Sequence, residues 1–359
     1  MELLGKSKEE LRAFCETLGE PAFRGAQIYH ALYSERKFDV AQITNLPTAL
    51  RERLSREARV TLPEVKQRFV SADGSVRYLL GLPAGEEKLA RPASVEAVFM
   101  PSEGRQTICI STQAGCAVDC HFCLTAKLGL IRNLTAGEVL AQVVLPLEEH
   151  KAQLAPQTNI VLMGQGEPLL NFEPVTAAVG IMLDPAGMGI SPKHVTLSTS
   201  GIVPEIERLA QERVRPKLAI SLNASNDEQR DALMPINKKY PLSALMNACK
   251  EYPLRTWEHL TFEYVMLGGI NDAVEDARRV VRLLAPLKRV KVNLIPWNPG
   301  ELPYRESSAE RIEEFRRILV ERGVQTFVRY SRGRDVMAAC GQLALLRIDG
   351  SPLSVVSPQ

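Results

Sequence analysis

The feature that most constrains the fold is an alternation of short apolar segments with helical stretches through the second two thirds of the chain. The apolar segments lie at residues 159–163, 194–199, 217–222, 260–265 and 290–295. Helical periodicity appears between them and before them, as at residues 136–149 and 273–284. Repeated β–α units with continuously apolar strands are typical of a parallel sheet covered by helices. About six units favour a complete or partial (β/α) barrel over a doubly wound sheet, with chemistry at the carboxyl ends of the strands.

The first hundred residues have a different pattern. Residues 7–60 carry apolar residues at helical spacing, with Pro47 at the entry to a third helix. From about residue 65 the pattern is extended, and Asp73-Gly74 between two apolar segments predicts a β-hairpin. We therefore expect a helical accessory domain at 1–62, a β extension at 63–101, a core at 102–340 and a tail at 341–359.

Composition sets the cellular context. No apolar stretch reaches the length of a membrane span, and the first residues lack the apolar region of a signal peptide. The seven cysteines are an odd number without a disulfide framework. We therefore predict a cytoplasmic protein, because thiols stay reduced in the cytoplasm and cysteines there more often bind metals or act in catalysis. The chain has 44 basic and 42 acidic residues, so its net charge does not indicate a nucleic-acid binder. Any contact with RNA would depend on local patches of basic residues.

Three cysteines form a CxxxCxxC motif directly after an apolar segment at residues 107–111. They are Cys116, Cys120 and Cys123. Iron–sulfur clusters and structural zinc sites usually take four protein ligands, so three thiols leave one position open. The motif therefore fits a cluster with one iron free to bind a small molecule. It also fits a zinc site that takes His121 as its fourth ligand, although that ring would have to share a very tight loop.

Further motifs distinguish these interpretations. In chain order they are GCAVDCHFC at 115–123, MGQGEPLLN at 163–171, TLSTSG at 196–201, MPINKKY at 234–240, NLIPWNP at 293–299 and AACGQL at 338–343. Together they resemble the RlmN/Cfr family of radical S-adenosylmethionine (SAM) RNA methyltransferases, and the RlmN branch more closely. The resemblance covers nearly the whole chain, and the zinc interpretation becomes minor beside it.

The resemblance implies a fold and a set of cofactor contacts. The fold is α/β, a partial (β/α)6 radical SAM barrel with a small N-terminal helical domain and a β-hairpin extension. Cys116, Cys120 and Cys123 would hold a 4Fe–4S cluster whose open iron binds SAM. The other implied SAM contacts are Gly166, Glu167, Ser198, Ser221, Leu222, Asn223 and Asn298. Many family members have histidine where this chain has Asn223, and we expect asparagine to serve there.

Two cysteines outside the motif carry the family's distinctive reaction. By resemblance, Cys340 carries the methyl group and Cys109 resolves the reaction through a transient disulfide. Glu96 is implied to accept a proton. The target is carbon 2 of adenine 2503 in 23S rRNA, and of adenine 37 in tRNAs, with two SAM molecules used for each methyl group. Without the resemblance, Cys109 and Cys340 would be interpreted as buried structural thiols, like Cys15 and Cys249, and Glu96 as a solvated strand residue.

The sequence gives fewer direct indications of the binding partners. The expected partners are 23S rRNA and tRNA, with a flavodoxin or ferredoxin as electron donor, and the chain is expected to be a monomer. Basic side chains predicted to contact RNA are Arg24, Lys238, Lys239, Arg329, Arg332 and Arg334. Two other functions remain open: methylation of carbon 8 of the same adenine, as in the Cfr branch, and a non-catalytic metal-containing RNA-binding protein.

Overall fold

One long mixed sheet organises the chain in the computed structural model, which describes residues 1–83 and 93–345. The strands are β1 (Glu64–Val70), β2 (Val76–Leu82), β3 (Ala93–Ser102), β4 (Arg105–Cys109), β5 (Gln113–Gly115), β6 (Leu130–Asn133), β7 (Gln157–Leu162), β8 (Val195–Thr199), β9 (Lys217–Ser221), β10 (Leu260–Met266), β11 (Val290–Pro296) and β12 (Gln325–Val328). The order in the large sheet is β1-β2-β3-β4-β7-β8-β9-β10-β11-β12, and β5 pairs separately with β6.

Ten α-helices accompany the strands in the described part of the chain. They are α1 (Lys8–Thr17), α2 (Phe23–Tyr33), α3 (Thr48–Glu57), α4 (Ala136–Glu149), α5 (Phe172–Leu183), α6 (Val203–Gln211), α7 (Asp227–Leu233), α8 (Leu242–Glu251), α9 (Val274–Leu284) and α10 (Ala309–Glu321). Cys15 in α1 and Cys249 in α8 are buried in the main apolar core, as expected for structural thiols. None of the helices described is long and apolar enough to cross a membrane.

The parallel half of the sheet confirms the predicted α/β fold. Strands β4 and β7 to β12 pair in parallel from one neighbour to the next. The sheet is not closed, because its order runs from β1 at one end to β12 at the other. The short strand β12 was missed by the sequence analysis, since two of its four side chains are exposed and it lacks a continuous apolar run.

The β extension continues this sheet on the side of β4. The predicted hairpin is present, with Val70 opposite Val76 and Gly74 at a positive φ in the turn. Strands β2, β3 and β4 then pair antiparallel, which places Val98 opposite Cys109. The expected residue Cys109 is therefore the last residue of the first parallel strand. Residues 84–92 of the predicted β extension, and residues 346–359 of the predicted tail, lie outside the described residues.

The N-terminal helices pack directly against the barrel. Gly5 lies so close to Gly137 at the start of α4 that an added Cβ would stand 2.3 Å from the Gly137 backbone nitrogen. Within the N-terminal segment, the Tyr33 hydroxyl accepts a hydrogen bond from the Gly5 amide (2.9 Å) and donates one to the Lys6 carbonyl (3.0 Å). The Tyr29 hydroxyl donates to the Asp184 carboxylate just after α5 (2.9 Å). Apolar residues of α1, α2 and α3 belong to the same buried cluster as the barrel helices, so this contact is continuous with the core.

Candidate active site

The motif cysteines lie on a loop between β5 and β6. Gly115 has a positive φ, and an added Cβ would stand 1.8 Å from the Gly129 carbonyl oxygen, so this close crossing requires glycine. The Cys116 amide donates to that carbonyl (3.0 Å). Farther along, the His121 amide donates to the Leu233 carbonyl at the end of α7 (3.0 Å). Backbone hydrogen bonds therefore fix both halves of the cysteine loop against the barrel.

A cavity opens at the carboxyl ends of the parallel strands. The expected site residues that line it are Cys116, Cys120, Cys123, Gly166, Glu167, Ser198, Ser221, Asn223, Asn298 and Cys340. Three further expected residues are not among the lining residues: Leu222, whose side chain is fully buried in the core, and Cys109 and Glu96. Cys340 therefore lines the same cavity as the three motif cysteines, although more than two hundred residues separate it from them in the sequence.

The arrangement of the thiols fits a cluster better than a single metal ion. In the described residues, no three His, Cys, Asp or Glu side chains are grouped closely enough to hold one ion. A four-iron cluster does not require such convergence, because each thiolate binds a different iron. His121, the fourth ligand of the zinc interpretation, is 45% exposed and is not a lining residue. Burial raises the pKa of Cys116 to about 12, and that of Cys120 well above its usual range, so ligation by a cation would be needed to hold both as thiolates.

Polar groups at or after the ends of three strands, β7, β8 and β9, face the same cavity. Glu167 is buried and accepts hydrogen bonds from the amides of Leu169 (3.1 Å) and Ser200 (2.7 Å). Burial raises the pKa of Glu167, and the Ser200 backbone bond opposes that rise. The hydroxyls of Ser198 and Ser221 lie 3.4 Å apart. These groups can accept from and donate to the amino, carboxylate and hydroxyl groups of a small polar ligand.

Asn223 has a backbone conformation that explains its residue type. Its φ is 55°, in the left-handed region where asparagine, aspartate and histidine are enriched among non-glycine residues. The side-chain oxygen accepts from the Val265 amide (2.8 Å), and the amide nitrogen approaches the Met234 sulfur (3.4 Å). Asparagine therefore suits the backbone conformation and the hydrogen bonds of this position.

The segment bearing Cys340 is bonded to the cysteine loop. The Leu124 amide donates to the Gly341 carbonyl (2.8 Å), and the Thr125 hydroxyl donates to the Leu343 carbonyl (2.6 Å). The Asn298 amide nitrogen donates to the carbonyl of Cys340 itself (3.1 Å). The Cys340 side chain is exposed to the cavity, so the expectation of a buried structural thiol fails for this residue.

Cys109 lies behind the cavity in a second apolar cluster. Its neighbours there include Val98 from β3 and Val336, Ala338 and Leu343 from the segment that carries Cys340. Burial is the main cause that raises the pKa of the Cys109 thiol, and a negative charge on Cys340 raises it further. Cys109 thus belongs to the cluster that contains Ala338, two residues before Cys340, and neither cysteine is in a disulfide.

Glu96 is fully buried, which corrects the expectation of a solvated strand glutamate. The Arg77 guanidinium, also fully buried, donates to one carboxylate oxygen at 2.6 Å. The other oxygen accepts from the Leu345 amide (3.0 Å). Burial raises the pKa of Glu96, and the Arg77 charge opposes the rise. The solvated interpretation failed because β3 is covered on both faces, a property that an isolated glutamate in a strand does not reveal.

This buried pair makes a large stability effect testable. We expect Arg77→Met to lower the free energy of unfolding by about 3–5 kcal/mol, because it leaves the Glu96 charge buried without its cation. The matched control is Arg317→Met, which removes an ion pair with Glu321 whose side chains are 58% and 56% exposed. That change is expected to stay within about 0.5 kcal/mol. Urea unfolding followed by circular dichroism measures both, and equal effects would contradict the expectation.

Two buried charged residues of the site were missed by the sequence analysis. Arg230 in α7 is fully buried, and its guanidinium donates to the carbonyls of Ser200 (2.6 Å) and Leu222 (3.1 Å) at neighbouring strand ends. Nothing in the sequence of a short polar helix marks it. Glu263 in β10 lines the cavity, and here a signal existed: it is the one charged residue in an otherwise uncharged apolar strand.

The basic residues predicted to contact RNA differ in their surroundings. Lys238, Lys239 and Arg329 are exposed. Arg24 lies over the ring of Phe23, which is itself 53% exposed. Arg332 and Arg334 instead form ion pairs with Asp73 (3.2 Å) and Glu306 (3.1 Å), which tie the segment before Cys340 to neighbouring loops. The paired arginines have less freedom to bind phosphate.

Comparison with known families gives two matches. Residues 110–284 match the Radical SAM superfamily, and residues 1–60 match the Ribosomal RNA large subunit methyltransferase N-terminal domain. The two matched regions lie on either side of the β extension.

Individual proteins are similar over almost the full chain. The probable dual-specificity RNA methyltransferase RlmN of Koribacter versatilis is 48% identical over 346 residues, covering 91% of this chain and 97% of that protein. The dual-specificity RNA methyltransferase RlmN of Anaeromyxobacter dehalogenans is 44% identical, covering 96% and 92%. The crystal structure of a radical SAM methyltransferase from Sphaerobacter thermophilus superposes with a TM-score of 0.87 at 40% identity, covering 96% of this chain and 99% of that one.

Proposed function

Because this chain belongs to the RlmN family of radical SAM methyltransferases, it is a SAM-dependent RNA methyltransferase, and we propose that it methylates carbon 2 of an adenine. The proposed targets are adenine 2503 of 23S rRNA and adenine 37 of tRNAs. The observation that carries the proposal is that Cys340 lines the same cavity as the three motif cysteines. A thiol in this position supports a reaction in which a cysteine of the chain carries the methyl group.

We assign the cofactors to this cavity. Cys116, Cys120 and Cys123 would hold a 4Fe–4S cluster, and the strand-end residues Gly166, Glu167, Ser198, Ser221, Asn223 and Asn298 would contact SAM, with Leu222 contributing through its backbone. When bound, the cluster supplies the electron that cleaves SAM into methionine and a 5′-deoxyadenosyl radical. The residues of the chain bind, orient and shield these groups, and they provide the thiols on which the methyl group is processed.

The proposed sequence of events uses Cys340 first. Its sulfur takes a methyl group from one SAM by displacement. The radical derived from a second SAM removes a hydrogen atom from that S-methyl group, and the resulting carbon forms a bond to the adenine. Direct displacement by the adenine carbon would fail, because carbon 2 is electrophilic. The Asn298 contact to the Cys340 carbonyl supports this role, since it holds the carrier's backbone at the cavity wall.

Cys109 and Glu96 are proposed to complete the reaction. After the adduct of that carbon with the adenine loses the carbon 2 proton, Cys109 would attack the Cys340 sulfur, and the bond from this sulfur to the methylene carbon would break. The methylene carbon would take up a proton to become the methyl group, the one surplus electron would leave to the electron-transfer partner, and the transient disulfide would be reopened by the cell's reductants. Glu96 would accept the proton from carbon 2. Since one oxygen of Glu96 is bonded to the Leu345 amide, the segment that carries Cys340 would have to shift before that oxygen meets a base.

We propose RNA binding by the N-terminal domain at residues 1–62, together with exposed basic residues near the cavity. The match of residues 1–60 to an rRNA methyltransferase N-terminal domain supports this assignment. The Phe23 ring beneath Arg24 supports it as well, because exposed aromatic and guanidinium groups stack on unpaired bases. We further propose a cytoplasmic monomer that receives electrons from a flavodoxin or ferredoxin.

Nucleoside analysis tests the proposed function. In a strain lacking its own adenine-2 methyltransferase, expression of this chain should restore 2-methyladenosine in 23S rRNA and in tRNA, as measured by mass spectrometry. The matched control is the same chain with Cys116, Cys120 and Cys123 changed to alanine. Accumulation of 8-methyladenosine without the 2-methyl isomer would favour the Cfr-type reaction. A reconstituted protein that forms no 5′-deoxyadenosine from SAM and reductant would instead support a non-catalytic RNA-binding protein.

A further inference from the structure

Glu263 is a carboxylate in the active-site cavity to which the proposed function gives no role. It lies in β10, where the register places it between Ser221 of β9 and Asn293 of β11. Its side chain is 8% exposed, and it lines the cavity together with Cys340. The other lining carboxylate is Glu167, and each of its two oxygens accepts a hydrogen bond from a backbone amide. Glu263 is therefore the lining carboxylate with more capacity to accept a further proton or hydrogen bond.

A hydrogen-bonded chain leads from Glu263 toward the surface. The Asn293 amide nitrogen donates to Glu263 Oε1 (2.9 Å), and the Asn293 oxygen accepts from Arg329 Nε (3.2 Å), whose side chain is exposed. Within the described chain no cationic side chain forms a direct ion pair with Glu263; Arg329 and Lys291 act on it from a longer distance. A buried carboxylate without a direct cation partner is destabilising for the fold, and such groups cluster at functional sites.

We propose that Glu263 accepts the proton that the Cys340 thiol loses when its sulfur takes a methyl group from SAM. In this step the bond between the Cys340 sulfur and the methyl carbon forms, and the bond between that carbon and the sulfonium sulfur breaks. The electron pair of the broken bond stays on the departing S-adenosylhomocysteine. The proton passes to the Glu263 carboxylate, so charge balances without an oxidant or reductant. The inference rests on the proposed function of Cys340 as methyl carrier.

The electrostatics of the cavity explain why an acceptor is needed. An ordinary cysteine thiol has a pKa of about 8.5, above neutral pH. At neutral pH the thiol is therefore almost entirely protonated, and a thiol is a much weaker nucleophile than a thiolate. A negative Glu263 disfavours a separate thiolate, so deprotonation is most favourable when the proton moves to Glu263 itself. Burial also raises the pKa of Glu263, against the effects of Asn293, Arg329 and Lys291, which brings it closer to that of an effective base.

The test measures methylation of Cys340 without RNA. The full-length, cluster-loaded protein is mixed with SAM, and S-methylcysteine in the Cys340 peptide is followed by mass spectrometry. We expect Glu263→Gln to slow this step by about 10²–10⁴-fold, and Glu263→Asp to recover part of the rate. The wild-type rate should fall at acidic pH as Glu263 becomes protonated. In the glutamine variant that acidic limb should disappear.

Two further measurements separate proton transfer from structural effects. Iodoacetamide alkylation of Cys340 in the metal-free protein should be at least as fast in Glu263→Gln as in the wild type, because the substitution removes a negative charge near the thiol. SAM binding to the cluster-loaded variant should be close to that of the wild type. A proton acceptor thus predicts slower enzymatic methylation together with equal or faster chemical alkylation.

Each other outcome overturns the inference in a recognisable way. Wild-type methylation rates in Glu263→Gln would exclude a proton-accepting role. A loss of rate matched by an equal loss of SAM affinity would make Glu263 a SAM ligand, and a parallel loss of alkylation would make it a residue that shapes the Cys340 segment. If the wild type itself forms no S-methylcysteine while still methylating RNA, the proposed carrier role fails, and the inference fails with it.

Discussion

Replacing Cys340 with alanine is expected to reduce RNA methylation by at least about 10³-fold, because no thiol remains to carry the methyl group. The side chain is exposed to the cavity, so its truncation should leave the fold intact. The three motif cysteines, which we propose as the cluster ligands, are unchanged, so the variant should still bind iron and cleave SAM. The measurement is transfer of labelled methyl groups to RNA, with 5′-deoxyadenosine quantified in the same samples.

A matched pair of variants makes this result specific. Cys340→Ser keeps nearly the same volume and supplies a hydroxyl, a far weaker nucleophile toward SAM, and should be as inactive as the alanine variant. Cys15→Ala removes a thiol buried in α1, far from the cavity, and should retain methylation. Methylated adenine at a substantial fraction of the wild-type yield from either Cys340 variant would exclude the carrier role.

Replacing Cys109 with alanine is expected to trap a covalent complex between protein and RNA. Among the residues that the structure describes, Cys109 is the only thiol of the apolar cluster behind the cavity, so the variant lacks the proposed attacking group. The linked intermediate should accumulate to roughly one equivalent per enzyme, and free methylated RNA should fall correspondingly. A denaturing gel shows the complex as a band of reduced mobility that collapses after ribonuclease treatment.

The double variant Cys109→Ala/Cys340→Ala provides the control for this complex. It lacks the Cys340 thiol that would carry the methyl group, so it should form no covalent protein–RNA complex. Non-specific crosslinking would persist in this variant. Cys249→Ala, which removes a buried thiol of α8, should turn over without accumulating a complex. Free methylated RNA at normal yield from Cys109→Ala would contradict the resolving role of Cys109.

The parallel strands were predictable from local patterns, whereas the sheet's edge was not. Helix α4 has the predicted bounds, and β8 to β11 begin and end within about one residue of prediction, because buried parallel strands read as continuous apolar runs. Strand β12 has no such run, since its residues alternate between exposed and buried positions at the end of the sheet. Its existence depends on pairing with β11, which is a tertiary property.

The candidate site divides in the same way. The cysteine motif and the strand-end polar residues are local in sequence, and their meeting at one cavity follows from parallel strands that share an edge. The placement of Cys340 against the cysteine loop depends on bonds such as that from Leu124 to Gly341, which join distant parts of the chain. Only the resemblance to a family anticipated it. The burial of Glu96 depends likewise on the layers above and below β3, which no local pattern encodes.

The close backbone contact between Gly5 and Gly137 has a consequence for substrate choice. No side chain separates the two backbones and there is no room for one, so the segment before α1 is held directly against the start of α4. If the N-terminal helices bind the RNA as proposed, this contact sets the distance between the bound RNA and the cavity. A ribosomal RNA fragment and a tRNA would then be recognised by the same criterion. That criterion would be the distance from the stem bound by the N-terminal helices to an adenine that can be unstacked.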